Sequence, residues 1–306
     1  MRKTVLIFGI SSFVGSNLAQ ILKDEYRIIG TYFKTPVEIE GITCVPCDVF
    51  KKDYVMSIVA RFKPDYTIYA VGLSSLADCK LKPKLADALN TGGAVNVCTA
   101  SERHQSKFVF ISSGFVMGGL DVLYKEGDSP FPNSAYGNSL LATEFYIQRS
   151  SLNYLIFRCA SLYGRSHNPK HPNWFECVQD AYAKGLPIQA DDSVHTGFLD
   201  IYILGKVIKT AFAKKITNRL IQISSRDYMT RFEFAQIYAK TFRKDSGSIQ
   251  KITGKFPLDT EKNSAAPLAI YHFNLDTTNV EEFLGTKMPS IEESLQYTFK
   301  RMHVVS

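Results

Sequence analysis

Phe8-Gly9-Ile10-Ser11-Ser12-Phe13-Val14-Gly15 is the stretch whose reading decides the fold. The apolar run Thr4–Phe8 ahead of it reads as a short buried strand, and the periodic stretch Val14–Lys23 behind it reads as a helix. Gly9 lets the chain turn sharply off the strand, and Gly15 lets the helix pack close against a sheet. A helix starting there presents unbonded N–H groups, a place suited to a pyrophosphate held by Ser11, Ser12, Phe13 and Val14. A purely structural turn would use the same two glycines. Their position after the first strand of a βαβ unit favours the phosphate-binding reading.

The same rhythm continues outward. Short apolar runs Arg27–Thr31, Ile42–Pro46, Tyr66–Val71, Lys107–Ile111 and Tyr154–Arg158 alternate with helical patterns near Tyr54–Phe62, Lys84–Glu102 and Ala135–Ser150. Such alternation predicts an α/β fold, a Rossmann-type doubly wound parallel sheet whose strands are apolar on both faces. The rhythm breaks after Arg158. Residues 161–197 read as loop-rich, with Gly164, Pro169, Pro172, Gly185 and Pro187; a helix, Leu199–Phe212, and a strand, Leu220–Ser224, then return to the sheet. Helical patterns follow near Arg231–Phe242, Thr277–Leu284 and Ile291–Met302. The expected division is a nucleotide-binding domain of residues 1–160 plus about 198–226, and a smaller discontinuous C-terminal substrate lobe of residues 161–197 plus about 227–306.

Composition excludes other classes. The net charge of +7 is spread over scattered lysines and arginines without an aromatic-basic signature, which argues against a nucleic-acid partner and suits anionic small molecules. No stretch approaches the ~20 apolar residues of a membrane span. Met1-Arg2-Lys3 and the apolar run after it mimic a signal peptide, but the run is short and broken by Gly9 and Gly15; the expected location is the cytoplasm. Six cysteines in 306 residues are not a disulfide framework. Cys44-Val45-Pro46-Cys47 matches a redox spacing but closes a strand, whereas a redox pair needs its first thiol at a helix N-terminus.

Cofactor choice is read at the end of the second strand, where NAD-binding chains usually carry an acid for the ribose hydroxyls. Gly30-Thr31-Tyr32-Phe33-Lys34 has none, and Thr31 and Lys34 would suit a 2′-phosphate, so the expected cofactor is NADP(H). Lys34 as a solvated surface residue is the plain alternative.

Several further segments resemble the extended short-chain dehydrogenase/reductases, and within them dTDP-4-dehydrorhamnose reductase and its relatives, in the same order along nearly the whole chain. Asp48 and Val49 match the family's adenine side, and Ile68-Tyr69-Ala70-Val71-Gly72-Leu73 resembles the small-residue stretch along the cofactor. Ala88-Leu89-Asn90 resembles the helix with the cofactor-side Asn. Ile111-Ser112-Ser113-Gly114-Phe115-Val116-Met117-Gly118-Gly119 resembles S-[ST]-D-Y-V-F-D-G, with Ser113 on the catalytic Ser/Thr and Gly114 and Phe115 departing from Asp and Tyr. Ala135-Tyr136-Gly137-Asn138-Ser139-Leu140 resembles A-Y-G-x-[ST]-K, and Arg158-Cys159-Ala160-Ser161-Leu162-Tyr163-Gly164 resembles R-x-[SA]-x-[VL]-[YF]-G. Phe273-Asn274-Leu275-Asp276 and Pro289-Ser290-Ile291-Glu292-Glu293-Ser294-Leu295 resemble the closing segments. The resemblance implies Ser113 and Tyr136 as catalytic residues and a cofactor site that also includes Ser112, Cys159 and Ser161. It further implies a nucleotide-sugar substrate touched by Ser74, Ser113, Arg165, Asn173, Trp174 and His195. In related reductases, the helices Lys84–Glu102 and Ala135–Ser150 often form a homodimer face.

The departure of consequence is Leu140. The family's Lys one turn after the Tyr stabilises phenolate; leucine supplies neither charge nor donor. Oxidation of an alcohol needs Tyr136 as a base, and a phenolate of pKa near 10 is only about 0.1% populated at pH 7. Reduction of a ketone needs the neutral phenol, the abundant form. Two readings follow: an NADP(H)-dependent reductase of a 4-keto nucleotide-sugar, or a catalytically impaired relative that binds NADP(H) and acts through a partner protein. The literal Tyr202-x-x-x-Lys206 lies on the helix after Leu199, past the active-site helix, as a chance match. His167 and His171 have metal-helix spacing, but Pro169 between them makes a loop and no third ligand is evident, so no metal is expected.

Overall fold

The computed structural model describes residues 2–150, 153–167, 172–253 and 270–304. Seven strands form the main sheet: β1 (Thr4–Phe8), β2 (Arg27–Tyr32), β3 (Thr43–Pro46), β4 (Tyr66–Tyr69), β5 (Lys107–Ser113), β6 (Tyr154–Cys159) and β7 (Arg219–Ile223). All neighbours are parallel, in the order β7-β6-β5-β4-β1-β2-β3. The order reverses between β1 and β4, and in open sheets of this kind ligands bind beyond the strand ends at that crevice.

Helices cover both faces. The sequence Thr4–Phe8 is buried at every position because one face meets α1 (Phe13–Leu22) and the other meets α2 (Lys52–Phe62). Leu6, Phe8, Phe108 and Phe110 pack with Val55, Val97, Leu140 and Ile147; Val5, Ile7, Val109 and Phe157 pack with Leu18, Leu22, Leu204 and Ile208 on the opposite face. A third core, around Tyr163, Phe175, Phe198, Phe234, Tyr238 and Leu295, belongs to the C-terminal part of the chain.

Three departures from the sequence reading have local causes. The expected helix Lys84–Glu102 is broken into α4 (Pro83–Asp87), a π-helical turn (Ala88–Gly93) and α5 (Ala94–Arg103), after a short α3 (Leu76–Leu81). The extra residue of the wide turn brings the Asn90 side chain onto the Leu73 backbone. β5 runs on to Ser113 because pairing with β6 continues as far as Cys159. The stretch 161–197 is not all loop: α7 (Trp174–Lys184) starts at a capping box between Asn173 and Glu176 and ends on Gly185 at φ 64°.

α6 (Ala135–Arg149) and α8 (Ile201–Ala213) complete the layers, followed by α9 (Arg231–Thr241), α10 (Thr278–Leu284) and α11 (Ile291–Val304). Short strands in the C-terminal part include Val194–Thr196, Tyr271–Leu275 and Leu123–Tyr124, which make a three-stranded parallel sheet. Val280 and Met288 are buried with the main sheet, so the chain after residue 227 also contributes to that core.

Candidate active site

The turn after β1 is held from both sides. Gly9 has φ 86°, and the N–H groups of Gly9 and Ile10 donate to the Thr31 carbonyl at 3.1 and 2.9 Å. A Cβ on Gly9 would lie 2.7 Å from the Ala70 carbonyl oxygen, and one on Gly15 only 2.2 Å from the Gly9 carbonyl oxygen. No side chain fits at either position. Ser12 caps α1 by accepting the Gly15 N–H at 2.9 Å. The Phe13 and Val14 N–H groups have no acceptor within the helix. Closely apposed backbone, a helix N-terminus and the strand-order reversal fit a dinucleotide pyrophosphate.

Around that turn, the other expected cofactor residues take distinct roles. Ala70 and Val71 are half-buried beyond β4, and Gly72 is pressed against the Asn90 amide, where a Cβ would lie 2.7 Å from Oδ1. Asn90 is 2% exposed; its amide accepts the Leu73 N–H and donates to the Leu73 carbonyl and the Ser139 hydroxyl, so it sets the loop's course. Asp48 accepts the Phe50 N–H, and Val49 is buried beside it. Thr31 is 1% exposed; Lys34 is exposed and lies over the Phe33 ring. Ser161 pairs in a short strand with Phe198.

The structure brings Ser113 and Tyr136 together at the end of β5. Ser134 caps α6 by accepting the Gly137 N–H at 3.1 Å, and α6 approaches Phe115 so closely that a Cβ on Gly137 would lie 2.1 Å from its carbonyl oxygen. Tyr136, one residue before that contact, comes near the Ser113 hydroxyl. Burial pushes the Tyr136 phenol well above its ordinary value; Cys79 and Cys159 add to the rise, and the Ser113 hydroxyl opposes it. Leu140, one turn on, is 4% exposed within the apolar core and supplies no charge to the pair. The site therefore holds a protonated phenol beside a serine hydroxyl, a donor pair for a carbonyl oxygen and a poor base.

Sequence reasoning missed the fastening behind this pair. Ser112, expected on the cofactor side, is 3% exposed and points the other way, donating to Glu144 Oε1 at 2.5 Å. Arg158 meets the same carboxylate through Nε at 3.0 and 3.1 Å and Nη2 at 2.7 Å. Glu144 falls on the Tyr136–Leu140 face of α6 one further turn along, a spacing readable from the sequence had a charge on an apolar face been taken as a signal. The wall over Gly114 and Phe115 comes from Phe273 and Leu275 of the distant strand Tyr271–Leu275.

The expected substrate residues are only partly gathered. The Asn173 amide is taken up by the cap of α7 and by the Gly164 carbonyl. Trp174 packs against Phe234 under Arg231, in the C-terminal core. Ser74 and Arg165 are exposed, the Arg165 carbonyl accepting from Asn17 of α1. His195 stacks on His272. Tyr202 and Lys206 face Tyr297 and Arg301, far in kind from a catalytic pair. His171 lies outside the described residues, and these hold no group of three or more His, Cys, Asp or Glu suited to a metal. The Cys47 thiol is pushed up to about 12, first by burial and then by Asp48, and Cys44 is raised by burial, the opposite of an activated redox pair.

The comparisons with known proteins agree with this fold. The probable low-salt glycan biosynthesis reductase of Haloferax volcanii is 21% identical over 305 residues, covering 94% of this chain and 95% of that protein. Methionine adenosyltransferase 2 subunit beta of Rattus norvegicus is 23% identical over 312 residues, covering 96% and 87%. The crystal structure of dTDP-4-dehydrorhamnose reductase from Bacillus anthracis in complex with NADP superposes with a TM-score of 0.81 at 22% identity, covering 98% of this chain and all of that one. The family described as the RmlD substrate binding domain matches residues 2–304. On that match and this fold, the chain belongs to the RmlD substrate-binding domain family of the extended short-chain dehydrogenase/reductases.

Proposed function

We propose that this protein is an NADP(H)-dependent reductase of a 4-keto nucleotide-sugar. The observation that carries the reading is the Ser113–Tyr136 pair, its phenol held protonated, at the strand end beside the Gly9–Gly15 turn. Bound NADPH supplies hydride. Ser113 orients the substrate carbonyl, and the Tyr136 hydroxyl gives its proton to the carbonyl oxygen as the alcohol forms. Gly9, Ser11, Ser12, Phe13, Val14 and Gly15 hold the pyrophosphate, and Lys34 faces the 2′-phosphate. The NADP complex of the Bacillus anthracis reductase supports that cofactor. Residues 1–160 with about 198–226 form the cofactor half, and the rest forms the substrate lobe. Its place is the cytoplasm. No helix among the described residues is long and apolar enough to cross a membrane. If two copies pair, they do so across α4 and α6, where Leu85, Phe145 and Tyr146 are exposed.

Fluorescence titration with NADPH and NADH tests the cofactor half. NADPH should saturate and be preferred, and Lys34→Ala should weaken NADPH about tenfold while leaving NADH unchanged. A folded protein that binds neither cofactor overturns the reading.

A second reading is favoured by Leu140, Gly114 and Phe115, three polar family positions turned inert, and by the relative named as a methionine adenosyltransferase subunit. In it the chain binds NADP(H) without turnover and acts through a protein partner. Leu140→Lys separates the two. A cation one turn from Tyr136 should lower the phenol by about 1–3 pKa units, raising alcohol oxidation at neutral pH about 10- to 1000-fold if the site is catalytic. A variant that binds NADP(H) yet transfers no deuteride from labelled cofactor in either direction supports the partner reading.

A further inference from the structure

We propose that His195 and His272 form a pH-dependent latch that holds the strand Tyr271–Leu275 against the wall of the site. The two residues are register partners on adjacent parallel strands, and their rings stack with centroids 4.8 Å apart and planes 12° from parallel. The strand they hold does two things at once. The His272 backbone N–H donates to the Gly119 carbonyl at 3.0 Å, and the next residue, Phe273, packs edge-on against Phe115 at 4.6 Å. Phe115 in turn lies 6.2 Å from the Tyr136 ring, and Leu275 covers Gly114, beside Ser113. The latch thus sits on the piece of chain that closes over the donor pair.

The charges facing the pair, among the described residues, come from several elements. Asp121, in the loop after Gly119, is 3.4 Å from His272 Nδ1. Asp191 ends the strand Ile188–Asp191, and its oxygens already accept from Ser193 and the Val194 N–H. Glu233 of α9 is held in the cap by Thr230. A proton on His272 would sit beside Asp121. A proton on His195 would sit in a half-buried place against the His272 ring. Burial first, and His272 second, hold His195 below the ordinary histidine value, against the pull of Glu233, Asp121 and Asp191.

The sign follows from linkage. His195 binds its proton less readily with the strands together than with them apart, so closure is fully favoured above about pH 6.5 and weakens as the pH falls through the lowered value. Parting the strands relieves the repulsion and unpacks Phe273 from Phe115. The latch requires no turnover and stands apart from the reductase assignment.

Amide hydrogen exchange, corrected for the intrinsic rate, tests it on the intact protein between pH 7.5 and 5.0. Exchange at Tyr271–Leu275 should speed up about tenfold on acidification, exchange in Thr4–Phe8 should stay level, and His272→Gln should diminish the rise. In parallel, the NMR titration midpoint of the His195 ring should lie below 6.5 and climb toward it in His272→Gln. Level exchange at Tyr271–Leu275 overturns the latch, as does an equal rise in Thr4–Phe8 or a rise that His272→Gln leaves undiminished. Should His272→Gln not fold, the wild-type protein decides alone: a His195 midpoint at or above 6.5 overturns the proposal.

Discussion

Replacing Tyr136 with phenylalanine is expected to lower keto-sugar reduction by about 10²- to 10⁴-fold, the usual worth of a positioned general acid. The substitution removes one oxygen and leaves the ring against Phe115, so the NADPH titration should barely change. A loss in kcat with cofactor affinity intact is the signature of a group used in the transition state. The wild-type pH profile carries a second mark. Because burial raises the phenol above its ordinary value, the acid form persists as the pH rises, and reduction should stay level through about pH 9. Alcohol oxidation needs the phenolate and should instead climb about tenfold per pH unit over the same range. Turnover unchanged in Tyr136→Phe would remove it from the role of proton donor.

Glu144→Gln is expected to destabilise the fold by about 3–5 kcal/mol, a fall in melting temperature of roughly 10 °C. Glu144 is fully buried and Arg158 is 3% exposed, so neutralising the carboxylate leaves a guanidinium uncompensated in the core. Arg158 Nη1 already has no partner among the described side chains, which makes the carboxylate its main compensation. Ser112 would also lose a charged acceptor, next to Ser113. Replacing both partners, Glu144→Leu with Arg158→Met, should cost far less, because no unpaired charge remains. A Glu144→Gln variant as stable as the wild type would show that the pair contributes nothing to the fold.

Much of this molecule is legible in its sequence because the relevant signals are local. A strand buried on both faces is largely apolar, so the inner strands stand out within a residue or two; the half-exposed edge strand β3 is marked by Ile42–Pro46, and Arg219–Ile223 by Leu220–Ser224. Gly9 and Gly15 are readable because a carbonyl oxygen lies 2.2 to 2.7 Å from where a Cβ would stand, and glycine is the residue that meets that demand. The absence of an acid after β2 and the leucine at position 140 are likewise visible without coordinates.

What the sequence left open depends on which distant segments meet. Nothing local distinguishes Ser112 from Ser113, yet the pleat sends one to Glu144 and the other to Tyr136. Nor does spacing tell that Asn173 closes its own helix, that Thr31 is buried, or that His195 meets His272 after a gap of dozens of residues. The short strands of the C-terminal part carry too few residues for a period to show, and pairing across the chain makes them strands. Sequence by itself determined the sheet, the Gly9–Gly15 turn and the missing lysine, because each is set by the residue's own shape or charge. Only the tertiary structure decided which polar groups are free to act and which are taken up in holding the fold, because that depends on burial and on partners the chain brings from afar.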